Sequence, residues 1–170
     1  MRIIGLDPGL QHTGWGVIEA KGTHLHFLGA GVVHSDAKAG LAKRLVQLHD
    51  GLRLVLDQYE PEEAAVEETF VNKNPTSTLK LGVARGVALL VPALYGLKVD
   101  EYPANRVKKS VVGAGHAAKE QVQMMVHRLL PASSAESPDA ADALAVAICH
   151  AHHATSLEKW GAATFREVLR

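Results

Sequence analysis

Three short apolar segments, rich in glycine and β-branched residues, follow one another within the first 33 residues of the chain. They cover residues 2–7, 13–19 and 26–33, and only short polar turns separate them. Strands joined by connections this short pair as antiparallel neighbours, because a parallel pair needs a long crossover. The chain is therefore predicted to begin with an antiparallel three-stranded meander.

After this meander the pattern changes to alternating helices and strands. Asp36 is a candidate N-cap for a helix in which apolar residues recur at helical spacing between Leu41 and Val55. The later predicted elements are a strand over 64–69, a helix over 75–95, a strand over 97–102, a helical turn at Pro103, a helix over 117–130 and a helix from Pro138 to about His153. A meander followed by such alternation predicts an α/β fold with one mixed sheet and helices on its faces.

The composition is that of a single cytoplasmic domain. The chain has 170 residues, of which 47% are hydrophobic and 21% charged, and this length suffices to bury a core. Cys149 is the one cysteine and fits a reducing compartment. No apolar h-region follows the N-terminus, so we expect no signal sequence, and we expect the longest apolar run, residues 86–97, which contains Pro92, to be too short to cross a bilayer. We expect a domain over residues 1–155, a tail over 156–170 and no membrane partner.

Positive charge is concentrated in the middle of the chain, although the formal net charge is zero. Residues 71–130 contain nine Lys or Arg and three acidic residues, a net charge of +6. A basic middle between acidic segments suits a phosphate-binding surface beside a metal site. On charge alone, a chance scatter over a solvated surface explains the pattern equally well.

Acidic residues close two of the predicted strands. Asp7 ends the first strand in an Asp-Pro-Gly turn, and Gly14 and Gly16 on the next strand leave room beside it for a phosphate or a metal. These glycines could instead simply ease a twisted hairpin. Glu67 and Glu68 end the fourth strand, and alternation lets only one of them face the same side as Asp7. A carboxylate in an apolar strand costs free energy unless it is paired or bound to a metal.

Two further acids, Asp139 and Asp142, share one face in the first turn of the last predicted helix. Acids there also complement the helix dipole, which explains one of them better than both. Crowded carboxylates raise one another's pKa, and divalent cations relieve that repulsion. Oxygen-rich sites suit magnesium or manganese. The acids together predict a metal site where two ions stabilise the attacking water and the leaving oxygen of a phosphodiester.

The chain resembles the RuvC family of Holliday-junction resolvases, in the ribonuclease H-like superfamily. The matching stretches are Ile-Gly-Leu-Asp-Pro-Gly at 4–9, Thr-Gly-Trp-Gly at 13–16, and residues 66–68, 80–82, 84–86, 111–113 and 139–144. The resemblance covers residues 1 to about 155 and implies a ribonuclease H-like, five-stranded mixed sheet flanked by helices. It implies that Asp7, Glu67, Asp139 and Asp142 are the catalytic, metal-binding carboxylates, which selects Glu67 over its neighbour.

The resemblance also implies a magnesium-dependent crossover junction endodeoxyribonuclease, with manganese as a substitute ion. Such an enzyme is a homodimer that nicks two opposed strands of a four-way DNA junction, and it acts with RuvA and RuvB in recombination and repair. Lys108 and Lys119 fall on basic positions near its active site, and Phe70 falls on an aromatic residue that stacks on bases. The candidate DNA-binding residues are Phe70, Asn72, Lys73, Asn74, Lys80, Arg85, Arg106 and Lys109.

The residues alone leave several alternatives open. Lys108 and Lys119 could anchor the DNA backbone, and a lone phenylalanine such as Phe70 is more often a core residue. Gly82 and Gly86 could let the helices of two subunits approach, or the helix could pack on its own sheet.

Two rival functions come from other classes of protein. One is a phosphotransferase with an actin-like ATPase fold, which needs two such domains and gives the acidic pair in the last helix no place. The other is a DNA-binding scaffold, which gains nothing from four crowded acids.

The last predicted helix ends in three histidines, His150, His152 and His153. They have no matching Cys or His partners in the sequence, so we interpret them as a polar helix end rather than a zinc site.

Overall fold

Strands and helices occur in the predicted order in the computed structural model, which describes residues 1–68, 74–133 and 137–168, with side chains up to residue 154. The strands are β1 (Arg2–Asp7), β2 (His12–Lys21), β3 (His24–His34), β4 (Glu63–Glu68) and β5 (Lys98–Pro103). The helices are α1 (Leu41–Tyr59), α2 (Pro75–Leu94), α3 (Ala104–Val112), α4 (Lys119–Leu129) and α5 (Pro138–Val168).

The strands form one mixed sheet in the order β3-β2-β1-β4-β5. The pairs β1–β2 and β2–β3 are antiparallel, as the short turns predicted, whereas β1–β4 and β4–β5 are parallel. Because β1 and β4 run in the same direction, their carboxyl ends reach the same edge of the sheet. That edge therefore carries both Asp7 and Glu67.

Two apolar cores cover the two faces of the sheet. Ile3 belongs to the core under α3, α4 and α5, whereas Ile4 and Leu6 belong to the core under α1 and α2. This alternation along β1 follows from the two-residue period of a strand. Asp7 continues the series of Ile3 and Gly5 and so faces α5.

Glycines in β1 and β2 let α5 lie directly against the sheet. A Cβ atom built on Gly5 would lie 2.2 Å from the carbonyl oxygen of Ala143, and one on Gly14 would lie 2.1 Å from that of Asp139. One on Gly16 would lie 2.7 Å from the Leu144 side chain. The prediction that Gly14 and Gly16 leave room for a phosphate or a metal is therefore wrong, because α5 fills that space.

A buried histidine fixes α5 to the sheet further along the helix. His150 is 2% exposed, and its Nδ1 lies 2.9 Å from the hydroxyl of Tyr102 on β5. Its Nε2 lies 2.5 Å from the Glu63 carboxylate on β4. His150 thus joins one helix to two strands, a role that the interpretation as a polar helix end missed.

Three helix boundaries differ from the prediction. Gly40 is the N-cap residue of α1, while the Asp36 carboxylate instead accepts a hydrogen bond from the backbone N–H of Lys38. α3 is a nine-residue helix rather than a single turn. α5 continues to Val168 instead of ending near His153.

The longest apolar segment also differs from the predicted run of residues 86–97, because it begins earlier in the chain. Within the described residues, α2 alone is long and apolar enough by length and composition to span a membrane, and 22% of its apolar window is buried. The predicted apolar run began at Gly86 and was therefore too short, because α2 begins at Pro75 and continues through Pro92.

Candidate active site

The carboxyl ends of β1 and β4 bring acidic side chains together with the first turn of α5. Asp7 interacts electrostatically with Glu67, Asp142 and Asp139. The same three elements were predicted to supply the acids, and the parallel pairing of β1 with β4 explains their convergence. Glu67, rather than Glu68, lines the cleft beside Asp142, in agreement with the choice that the resemblance implied.

The cluster is electrostatically strained at neutral pH. Burial, followed by repulsion from Glu67, Asp142 and Asp139, raises the pKa of Asp7 to about 8. Burial and repulsion from Asp142 raise the pKa of Glu67 to about 7, although Lys108 and Lys119 oppose this. The fold therefore holds carboxylates where their ionised form is costly, which is typical of sites that bind cations or catalyse reactions.

Two lysines supply positive charge to the cluster. The Lys119 ammonium lies 2.7 Å from Oδ2 of Asp142, with the two side chains 51% and 23% exposed. This hydrogen bond raises the pKa of Lys119. Lys108, from α3, lines the same cleft as Lys119, Glu67 and Asp142. Both lysines therefore lie where the resemblance led us to expect them.

The cleft between β4, α3, α4 and α5 has a volume of about 210 Å³. Its charged rim stands over an apolar floor, and its lining residues are Glu67, Ala104, Val107, Lys108, Lys119, Val122, Asp142 and Ala145. These apolar lining residues were not predicted from the sequence. Val107 and Val122 are also buried core residues, so only their helical spacing could have suggested them.

The donor set fits hard divalent cations. Carboxylate oxygens are the ligands that magnesium and manganese prefer, and such ions would relieve the repulsion that raises the pKa of Asp7 and Glu67. Among the side chains described in residues 1–68, 74–133 and 137–154, no three His, Cys, Asp or Glu are grouped closely enough to hold a metal ion. The Lys119 ammonium supplies the positive charge next to Asp142 instead.

Three of the predicted DNA-binding residues make contacts within the protein itself. Asn74 is the N-cap of α2 and accepts hydrogen bonds from the N–H groups of Thr76 and Ser77, so its side chain is engaged within the helix start. Arg85 forms an ion pair with Glu101, at 2.5 Å. Arg106 lies over the Tyr102 ring. DNA binding by these residues stays a prediction.

The remaining predicted DNA contacts divide into two groups. Lys80 and Lys109 are exposed, which leaves their ammonium groups accessible to a phosphate. Phe70, Asn72 and Lys73 lie outside the described residues.

Comparison with known proteins supplies independent evidence. The sequence model of the family described as crossover junction endodeoxyribonuclease RuvC matches residues 3–150. The chain belongs to the RuvC family. Its fold is accordingly ribonuclease H-like, and it is a crossover junction endodeoxyribonuclease, an enzyme of DNA recombination and repair. Divalent metal dependence follows from the family.

Individual RuvC proteins are similar along most of their length. The enzyme named crossover junction endodeoxyribonuclease RuvC from Paramagnetospirillum magneticum is 63% identical over 166 residues, 98% of this chain and 100% of that protein. The one from Brucella anthropi is 60% identical over 157 residues, 92% of this chain and 91% of that protein.

Solved structures agree with this assignment. T. thermophilus RuvC in complex with Holliday junction substrate has a TM-score of 0.85 and 36% identity, over 92% of this chain and 96% of that one. The yeast mitochondrial Holliday junction resolvase Ydc2 covers 93% of this chain and 85% of its own, at a TM-score of 0.60 and 12% identity. That similarity shows a shared fold.

Proposed function

We propose that this chain resolves four-way DNA junctions by paired, symmetric nicks in two opposed strands, with Asp7, Glu67, Asp139 and Asp142 as its catalytic carboxylates. The observation that carries the proposal is the convergence of these acids at one sheet edge, where burial and mutual repulsion raise the pKa of Asp7 and Glu67. A fold gains no stability from this arrangement, so a cation that binds there and acts on a phosphodiester is its best explanation.

The chain's own residues have distinct parts in this reaction. Asp7, Glu67, Asp139 and Asp142 would hold divalent cations, Mg²⁺ at two ions per site with Mn²⁺ as a substitute, and these would supply Lewis acidity at the scissile phosphate. Asp7 and Glu67 would have to be deprotonated to hold such ions. Lys119 and Lys108 then lie close enough to the cleft to stabilise the negative charge that develops on the phosphate. The apolar floor lowers the local dielectric and strengthens these interactions.

Two neighbouring glutamates provide a matched test of the site. Glu67→Gln should lower cleavage of a synthetic four-way junction by about a hundredfold or more in Mg²⁺, while junction binding in a gel-shift assay persists. Glu68→Gln removes the same charge one residue away and should retain most of the activity. Asp7→Asn should behave like Glu67→Gln. Cleavage at the wild-type rate by either site variant would refute the proposed site.

Substrate selectivity is tested separately from chemistry. A linear duplex of the same sequence should remain largely uncut under conditions that resolve the junction, whereas equal cutting of both would indicate a general nuclease. On a junction with mobile arms, symmetric nicks at paired positions in opposed strands are expected. Unpaired nicks would contradict resolution by a dimer.

A homodimer is the quaternary structure that fits two coordinated cuts. Large apolar side chains on one face of α2 are exposed in the isolated chain: Leu79, Val83, Leu90 and Leu94. Cβ atoms built on Gly82 and Gly86 would meet nothing within 4 Å, so a second helix has room to approach this face. A partner copy on α2 would cover it, which accounts for its apolar character without a membrane.

Family membership supports three further proposals. The enzyme acts in the cytoplasm, its junction partners are RuvA and RuvB, and residues 156–170 lie outside the nuclease domain. Removal of residues 156–170 tests the last of these, since junction cleavage by residues 1–155 should persist. Co-purification of RuvA and RuvB with the junction-bound enzyme tests the partners.

A further inference from the structure

Two exposed histidines face each other at the end of the β2–β3 ladder, outside the carboxylate cluster. His12 and His34 are direct cross-strand partners, so their side chains leave the same face of the sheet. Their Nδ1 atoms lie 2.8 Å apart, and their rings are nearly perpendicular, at 86°, with centroids 4.9 Å apart. Two imidazole nitrogens therefore converge on one point that is open to solvent.

The backbone that carries both rings is fixed by hydrogen bonds. The Thr13 hydroxyl, next to His12, donates to the carbonyl oxygen of Gly9 at 2.7 Å. The Ser35 hydroxyl, next to His34, donates to the carbonyl oxygen of Leu10 at 2.5 Å. Thr13 and Ser35 are themselves 1% and 7% exposed. Little backbone entropy is lost when a ligand binds between the rings, which is the condition for a preorganised site.

We propose that His12 and His34 form a second metal site, which takes a divalent transition cation of the zinc class. In the free protein one Nδ1 donates its proton to the other. On metal binding that proton moves to Nε2 of the same ring, so both neutral imidazoles present a lone pair and no proton is released. Zinc–nitrogen bonds of about 2.0–2.1 Å at a tetrahedral angle separate the two nitrogens by roughly 3.3 Å. The exposed rings reach this separation by small side-chain rotations.

The ligand chemistry separates this site from the carboxylate cluster. Imidazole nitrogen favours zinc, copper and nickel, whereas carboxylate oxygen favours magnesium and manganese. Two protein ligands leave the other coordination positions to water. Excess Mg²⁺ should therefore occupy the carboxylates without displacing zinc from the histidines.

The position of the pair gives the site a structural consequence. His12 and Gly14 share one face of β2 by alternation, and Gly14 is the partner of Asp7. The pair therefore lies on the face that carries Asp7, about 7 Å further along the strand. β3 is an edge strand, so a bound cation would cross-link this edge strand to the first residue of β2, which directly follows the turn after Asp7.

Zinc titration of the full-length protein in saturating Mg²⁺ tests the proposal. The wild type should bind one more equivalent of Zn²⁺ than His12→Asn or His34→Asn, and the imidazole NMR signals of His12 and His34 should shift together. His24→Asn, which removes an exposed histidine at the other end of β3, should match the wild type. Because both rings of the pair are exposed, each variant should melt at the wild-type temperature without zinc.

Three results would count against the proposed histidine site. Equal zinc stoichiometry and affinity in the wild type and both pair variants would overturn the proposal, as would His12 and His34 signals that do not respond to Zn²⁺. Zinc should also raise the melting temperature of the wild type more than that of His12→Asn, and an equal rise would count against the site. Since junction cleavage in Mg²⁺ alone is not the readout, these results are independent of the proposed nuclease function.

Discussion

The ionised form of Asp7 is the form that would bind a cation, but ionisation of this buried residue destabilises the folded chain. Its pKa is raised to about 8 in the folded chain, so between its ordinary value and pH 8 the folded state binds a proton that the unfolded state has lost. Stability contributed by this protonation is complete below the unfolded pKa and is lost as the pH rises through the folded pKa. Glu67 acts in the same direction up to about pH 7.

We therefore expect the free energy of unfolding, measured in chelator, to fall between pH 5 and 8, by on the order of a few kcal/mol. Asp7→Asn should flatten this slope and make the protein more stable than the wild type at pH 8. Saturating Mg²⁺ should also flatten the wild-type slope. Asp36→Asn is the control, and denaturant unfolding at several pH values is the measurement. A slope for Asp7→Asn as steep as that of the control would contradict the electrostatic account.

Individual site residues differ in how far sequence could identify them. Asp7 was evident because it ends a strand, whereas Glu67 and Glu68 could not be separated by alternation without knowing which face α5 covers. The Lys119–Asp142 ion pair joins residues of two helices, and no local pattern predicts how α4 docks. Asn74 was predicted only as a DNA contact, although Pro75 after it was a signal for its capping role.

At the scale of elements, the approach of α5 to β1 and β2 determines where Asp139 and Asp142 lie. Gly5→Ala would place a methyl group within 2.2 Å of the Ala143 carbonyl oxygen, so α5 must move away. We expect a loss of about 1–3 kcal/mol in stability and about a hundredfold in junction cleavage.

Gly40→Ala is the control for this change, because a Cβ there meets nothing within 4 Å. Thermal unfolding and single-turnover cleavage are the measurements. Wild-type activity in Gly5→Ala would show that the position of α5 does not set the site geometry.

The boundaries of helices and strands were predicted correctly where one local sequence signal had no competing explanation. Short turns gave the β1–β2–β3 meander, and Pro138 correctly predicted the start of α5. The start of α1 was misjudged because Asp36 forms its own turn with Lys38, a use of aspartate that competes with capping. Pro92 did not end α2, because it lies in the last turn of that helix.

At the scale of the whole molecule, the exposed apolar face of α2 predicts the dimer. Leu90→Glu should place a charge in the contact and convert the protein to a monomer, with loss of coordinated nicking. Val46→Glu on α1 is a matched control, since Val46 and Leu90 are 56% and 54% exposed.

Sedimentation velocity distinguishes the two states, and cleavage of a junction with mobile arms reports coordination. A Leu90→Glu variant that sediments as the same species as Val46→Glu would exclude α2 as the dimer contact. The face itself was visible in the sequence as a stripe of leucine and valine, but its exposure was not, because a stripe that packs on the protein's own sheet has the same period.

The bridge from His150 to Tyr102 and Glu63 has a genetic consequence. His150 lies eight residues beyond Asp142, about 12 Å along the helix, and it holds α5 in place there. Its loss removes a buried network rather than a ligand of the reaction. Alleles of His150 should therefore be temperature-sensitive for recombination, because the helix still docks in the cold, whereas alleles of Asp7 should be null at every temperature.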